Sequence, residues 1–297
     1  MTEQNTRLGI LFMVASTVVF SLQDAVSRHL GEANNVFVVV MIRYWFFALF
    51  VIALALRQPG GLRRVLRPRY PLIQIARGIL LVLEICVMVV AFVKLGLVAT
   101  HAAFACFPLM VAALSGPILG ENVGWRRWTA VGVGLVGVMV LLQPGAGVLS
   151  FWSVLPLLAA FLFAMYGLLT RYVAAEDGAS VSFFWAGVSG AVTVTILGTW
   201  FWEPLAEGSW PWMLTLCVSG ILGHWCMTKA YDHAEASAIQ PFSFLQLVWI
   251  AIIGVVFLGE PLGTNIVVGA IIVVSAGLFT LWRANVRGEK PIPAARP

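Results

Sequence analysis

The sequence predicts an all-α polytopic membrane protein with ten transmembrane helices in two inverted-topology five-helix repeats. Three observations carry that prediction. The first is composition: of 297 residues, 61% are hydrophobic and 10% charged, and the mean hydropathy is +0.95, whereas soluble domains carry roughly a quarter charged residues. The second is spacing, because apolar runs of about twenty residues, enough to cross a hydrocarbon layer of ~30 Å, recur ten times. The third is a repeated hexapeptide, "LGENVG" at Leu119 to Gly124 and "LGEPLG" at Leu258 to Gly263, each directly after a long apolar run.

In chain order the predicted spans are 8–31, 36–56, 71–95, 98–119, 125–142, 151–173, 180–202, 211–234, 237–258 and 262–283. The first is too long for a signal peptide's apolar core of about 7 to 15 residues and lacks a clear small-residue cleavage site, so it is read as retained. The second carries Arg43, the third Arg77 and Glu84, and the fourth His101, Phe107 and Pro108. Gly132, Gly134 and Gly137 in the fifth span, with Gly269 and Gly277 in the tenth, suit close helix approach. Four tryptophans, Trp200, Trp202, Trp210 and Trp212, flank the turn between the seventh and eighth spans as an interfacial belt would. Cys86, Cys106, Cys217 and Cys226 all fall inside spans without metal-type spacing and read as small packing residues.

Ten spans place both termini on one side. Of the eighteen Lys and Arg, fourteen fall on that side, two (Arg28 and Lys94) on the other and two within spans. The positive-inside rule therefore puts both termini in the cytoplasm. The net charge of +5 serves orientation on this reading, and no nucleic-acid partner is expected. The expected organisation is a cytoplasmic N-terminus (1–7), a first repeat (8–144), an inverted second repeat (145–283) and a disordered, basic, Pro-rich tail (284–297).

The hexapeptides answer to an internal duplication. A shift of 139 lays "GENVG" on "GEPLG" and the fourth span on the ninth, while a shift of 143 lays Phe20 on Phe163 and Ser27-Arg28 on Thr170-Arg171. Because each copy has an odd number of spans, the second enters the membrane from the opposite side, the arrangement by which two similar halves can exchange shapes around a midplane site. In the hexapeptides, Gly ends a helix and Glu sits in a tight turn. Glu121 and Glu260 thus read as turn or capping residues, with a gate contact as the alternative.

On these residues the chain resembles the EamA branch of the drug/metabolite transporter superfamily, through the ten spans, the "MIRYWF" segment around Arg43 and the two G-E-x-[VL]-G turns. Its size and span pattern are most similar to YddG-type bacterial amino-acid exporters. The resemblance implies a carrier in the bacterial cytoplasmic membrane, walled mainly by spans one, three, four, six, eight and nine. It implies export of small amphipathic metabolites, amino acids including aromatic ones, by alternating access. Another solute, such as a drug, a nucleoside-like metabolite or S-adenosylmethionine, is the alternative, and a non-transporting receptor or scaffold is the rival from a different class. A small-molecule substrate and the lipid bilayer are the expected partners, for a monomer or weak homodimer. No enzyme activity, cofactor or metal is expected, since neither a triad nor ligand spacing nor a phosphate-cradling Gly-Lys motif is present.

Ionisable residues at membrane depth cost about 2.5–3.5 kcal/mol each on insertion scales, so each should face protein or a wet cavity. Glu84 and His224 lie near the middle of the third and eighth spans, and Gln246 near the middle of the ninth. Ser243, Trp249, His101, Phe107 and Tyr166 complete the candidate solute site. Coupling or gating candidates are Glu84, His224, Arg77, Asp24 and Arg43. Arg77 and Glu84, seven apart, share a helix face ~10 Å along it, so Arg77 could bind a substrate carboxylate, neutralise Glu84 or bond to neighbouring helices. His224, Thr228 and Tyr231 form a polar stripe, with packing and proton relay both open for the histidine. Ser237, Gln240, Ser243, Gln246 and Trp249 recur at intervals of three, against Val98, His101, Phe104 and Phe107 in the other copy. One wall is polar and the other aromatic, which would suit an amphipathic solute; helix packing is the other use of those rings. Asp24 and Arg43 lie at similar distances from their hairpin turn, where an ion pair is expected, with a proton site as the alternative.

Overall fold

The computed structural model of the protein describes residues 6–58, 60–120, 124–142, 151–174, 176–234 and 239–286. Twelve helices are described: α1 (Thr6–Ala33), α2 (Val36–Arg57), the short α3 (Gly61–Val65), α4 (Pro71–Leu95), α5 (Leu97–Phe104), α6 (Phe107–Leu119), α7 (Trp125–Leu142), α8 (Leu155–Val173), α9 (Ala179–Trp200), α10 (Ser209–His233), α11 (Leu245–Ile252) and α12 (Thr264–Val286). No strand occurs among the described residues. Six segments are long and apolar enough to cross a membrane: α1, α2, α4, Leu97–Leu119, Trp152–Val173 and α9. Trp128–Leu142, Pro241–Phe257 and Thr264–Thr280 are shorter apolar helices. Helix α10 has 25 residues, but Ser, Thr, His, Lys and Asp dilute its apolar character.

Local chemistry sets the helix boundaries. Asn35 caps α2 by accepting the Phe37 N–H at 3.0 Å, and Pro71 opens α4 where a missing N–H costs nothing. The fourth span is broken between Phe104 and Phe107, ahead of Pro108. Its counterpart is irregular too, running from a 3-10 turn over Gln240–Phe244 through α11 into a π turn over Ile253–Phe257. Irregular backbone at membrane depth is tolerated where it is enclosed by protein or lines a wet cavity. Gly120 and Gly259 hold matching left-handed conformations, φ 71° and 65°, so the two hexapeptides begin with the same corner. Glu121 lies outside the described residues. Helix α12 continues through Val286, three residues into the expected tail.

The main helix contacts are α1 with α10, α7 with α12, α4 with α8, and α2 with α9. Exchanging the copies turns the contact of spans one and eight into that of six and three, and maps two-on-seven and five-on-ten onto themselves. The pairing therefore has the two-fold relation that a duplicated bundle requires. Helices α7 and α12 meet where a Cβ on Gly269 would strike the Gly137 carbonyl, a close approach of two backbones. The largest core cluster joins Met41, Tyr44, Val82, Phe92, Leu97, Val194 and Ile250, so both copies build it.

Candidate functional site

The polar residues at membrane depth gather where α1, α4, α5 and α11 meet. Asp24 on α1 accepts a hydrogen bond from Gln246 Nε2 at 3.1 Å. His101 Nε2 also lies 3.1 Å from Asp24 Oδ2, at ion-pair distance but without hydrogen-bond alignment. One turn back on α1, Ser21 donates to the Thr17 carbonyl at 2.8 Å and to the Gln246 carbonyl at 3.3 Å. Trp249 Nε1 donates to Thr17 Oγ1 at 3.2 Å. Gln246 and Trp249, three apart on α11, thus both read onto α1.

Glu84 on α4 is 6% exposed, and among the described residues it makes no hydrogen bond or ion pair. Asp24 and Arg43 are the charged groups that act on it electrostatically. Arg43 on α2 is half-buried. Among the described residues, the Tyr44 hydroxyl beside it is buried without a hydrogen-bond partner, as is Gln23 Oε1 on α1.

Two sets of rings flank these charges. The first runs from Phe92 through His101, stacked at 5.1 Å, to Phe104, Phe107 and Phe163, whose centroids lie 5.0–5.6 Å apart. It continues to Tyr166, 5.9 Å from Phe163, over which the Arg77 guanidinium sits at 5.2 Å. The second surrounds His224 on α10 with Phe20 at 5.2 Å, Phe183 at 5.9 Å and Phe47 at 6.2 Å. Phe20 and Phe163 are counterparts under the 143 shift, so each copy places a ring at the same position of its first helix.

Each end of the bundle is tied across the copies. At one end Asn34 Oδ1 accepts the Ala206 N–H at 2.7 Å, and its amide donates to Ser209 Oγ at 3.1 Å. At the other, Asp177 accepts the Arg69 N–H at 2.7 Å and Gln74 Nε2 at 2.9 Å. Asn34 and Asp177 are 143 positions apart. Gln74 in turn accepts from Arg77, whose Nε donates to Thr170 Oγ1 at 2.9 Å. The Asn34 end also holds Glu260. Its carboxylate accepts the Leu97 and Val98 N–H groups, at 2.6 and 2.9 Å, and pairs with Arg28, which bridges to Glu32 at 2.9 Å. A carboxylate on a helix N-terminus is favoured by the unpaired N–H groups and by the helix dipole.

One sequence expectation is corrected. Asp24 does not pair with Arg43 among the described residues. It turns toward α5 and α11, because equal depth along a hairpin says nothing about which face each residue occupies. Of the uses left open for Arg77, the structure shows bonding to a neighbouring helix: 1% exposed, it belongs to the network of Gln74, Thr170 and Tyr166. His224 contacts rings rather than Glu84, and Thr228 donates back to the His224 carbonyl at 2.9 Å. Ser243 is exposed in the 3-10 turn that precedes α11. Ser237 and the side chains of Tyr231 and Gln240 lie outside the described residues. Sequence reasoning missed Thr17, Tyr44, Gln74, Asn34 and Asp177; the 143 shift that aligns Asn34 with Asp177 was the available signal for that pair.

Several known proteins are similar to this chain. An S-adenosylmethionine uptake transporter of Rickettsia prowazekii is 26% identical over 275 residues, covering 92% of each chain. A riboflavin transporter of Vibrio cholerae is 32% identical over 180 residues, 60% of each chain. A crystal structure 14% identical superposes with a TM-score of 0.61, covering 97% of this chain and 100% of that one, which shows the shared fold. Two stretches, residues 7–143 and 150–282, each match the EamA-like transporter family. With that duplication in the sequence and the two-fold pairing in the structure, the chain belongs to the EamA-like transporter family, as a multi-pass membrane transporter of a small molecule.

Proposed function

We propose that the chain is a secondary carrier for a small solute that joins an aromatic ring to a positively charged group, of the S-adenosylmethionine type. Ten spans cross the bacterial cytoplasmic membrane with both termini inside, and the two inverted copies exchange shapes to expose the site to either face. Glu84 is the observation that carries the reading. A carboxylate enclosed at membrane depth without a hydrogen-bond partner among the described residues is costly when ionised, and a cationic solute offsets that cost. Asp24, already oriented by Gln246 and His101, adds a second negative group. The rings of Phe104, Phe107, Phe163 and Tyr166 offer the stacking surface for a heteroaromatic base.

Export of aromatic amino acids, the expectation from sequence resemblance, rests on the same groups, because an ammonium meets Glu84 and a phenyl ring meets the same wall. Purified protein in liposomes separates the readings. Labelled S-adenosylmethionine, riboflavin and phenylalanine are offered to empty vesicles and, separately, loaded inside them. The expected result is saturable S-adenosylmethionine flux, abolished in Glu84→Gln. Riboflavin flux with no movement of S-adenosylmethionine or phenylalanine would overturn the reading.

A further inference from the structure

We infer that Arg43 reads a carboxylate on the solute, so that the cargo is a zwitterion rather than a simple cation. The inference rests on the carrier reading above and narrows its substrate class. Arg43 is the eighth residue of α2, about 10 Å along the helix from Val36, where a guanidinium needs an anion or water. The carboxylate nearest by sequence logic, Asp24, is turned to Gln246 and His101. Among the described residues Arg43 has no hydrogen-bond or ion-pair partner.

Its surroundings favour an anion over bulk water. Phe47 lies one turn further on α2 and stacks on His224, with Phe20 and Phe183 closing on the same imidazole. Arg43 acts electrostatically on His224, on Tyr44 and on Glu84, so the aromatic cluster and the buried acid share its field. Arg43 and Glu84 make no ion-pair contact with each other. Two opposite charges held apart at membrane depth, each without a direct partner among the described residues, match the ammonium and carboxylate of one α-amino acid. A planar guanidinium takes a carboxylate through two parallel N–H bonds, which a lysine cannot reproduce. The Tyr44 hydroxyl, next along the same helix, is likewise buried without a hydrogen-bond partner among the described residues.

S-adenosylmethionine carries such a head, and riboflavin carries no carboxylate. A cargo pair that differs only in this group is S-adenosylmethionine and its decarboxylated form, which keeps the adenosine, the sulfonium and the amine. Titration calorimetry on the purified full-length chain measures both, in wild type, Arg43→Gln and Arg43→Lys. Wild type is expected to prefer the carboxylated form by about 10- to 100-fold, the worth of a charge-assisted hydrogen bond. Arg43→Gln is expected to lose that preference while binding the decarboxylated form as wild type does, and Arg43→Lys to keep part of it. Binding of the decarboxylated form also reports that Arg43→Gln is folded. Equal losses for both forms, or an undiminished preference in Arg43→Gln, would overturn the inference. If wild type binds neither form, the solute reading fails; phenylalanine and phenethylamine, which differ by the same carboxylate, then decide on Arg43 alone. Wild type binding the two amines equally, or binding neither, would overturn the carboxylate assignment.

Discussion

The two ends of the bundle are built from the same chain positions and do different things with them. At the end holding Asn34, a neutral amide ties the first copy to the turn ahead of α10, and a separate ion pair, Arg28 with Glu260, ties the second copy onto the start of α5. At the end holding Asp177, a carboxylate ties the second copy to the turn ahead of α4, and its bonds continue through Gln74 to Arg77, Thr170 and the ring of Tyr166. Duplication fixed where the ties sit. The residues at those positions differ in which carry charge and which connect to the site.

Among substitutions in the ties at the two ends, the largest effect should come from Glu260→Ala. It leaves two N–H groups at the α5 N-terminus unpaired and removes an acid from Arg28, at a cost of about 3 kcal/mol for breaking a largely buried pair. Solute flux is expected to fall at least tenfold, and Glu260→Gln, which keeps an acceptor for one N–H, less. Unchanged flux in Glu260→Ala would remove the Arg28–Glu260 contact from the transport cycle.

Asp177→Asn makes one end imitate the other. The amide still accepts the Arg69 N–H but meets Gln74 as a neutral partner, so stability in detergent should drop by about 1 kcal/mol and flux by a few-fold. The reverse exchange, Asn34→Asp, should keep the Ala206 bond and cost a similar amount. If only one of the two exchanges matters, the ends are not equivalent ties. The smallest effect belongs to Trp249→Phe, which keeps a ring and loses one neutral hydrogen bond to Thr17. About 0.5–1 kcal/mol is expected, seen as a small fall in solute affinity.

The sequence exposed the duplication and most of the spans, because apolar runs and Gly-Glu corners are local signals. Gly120 and Gly259 show why: a residue that must turn left-handed after a helix is marked by its identity. The break in the fourth span was missed: 98–119 reads as one continuous span, although Pro108 lies just after the break. What the sequence could not show was rotation about helix axes. Asp24 and Arg43 sit at matching depths, yet Asp24 faces α5 and α11. Arg77 and Glu84 share a face by spacing, yet Arg77 is drawn to Thr170 and Tyr166 on α8. Partner choice among helices is decided by packing, and no spacing rule reaches across it. Glu84, His224 and Gln246 were legible as polar residues too deep for lipid, whereas Tyr44 and Thr17, which hide among apolar neighbours without a formal charge, were not.

The account stands on reciprocal motion of the two copies, and paired spin-label distances test it most directly. Lys94 with Glu203 spans the copies at the Asn34 end. Arg64 with His233, the same two positions shifted by 139, spans them at the Asp177 end. Cysteines are placed at each pair; the four native cysteines are buried. Adding solute should move the two distances in opposite directions, one end closing as the other opens. Two distances that move together, or that both ignore a bound solute, would contradict it.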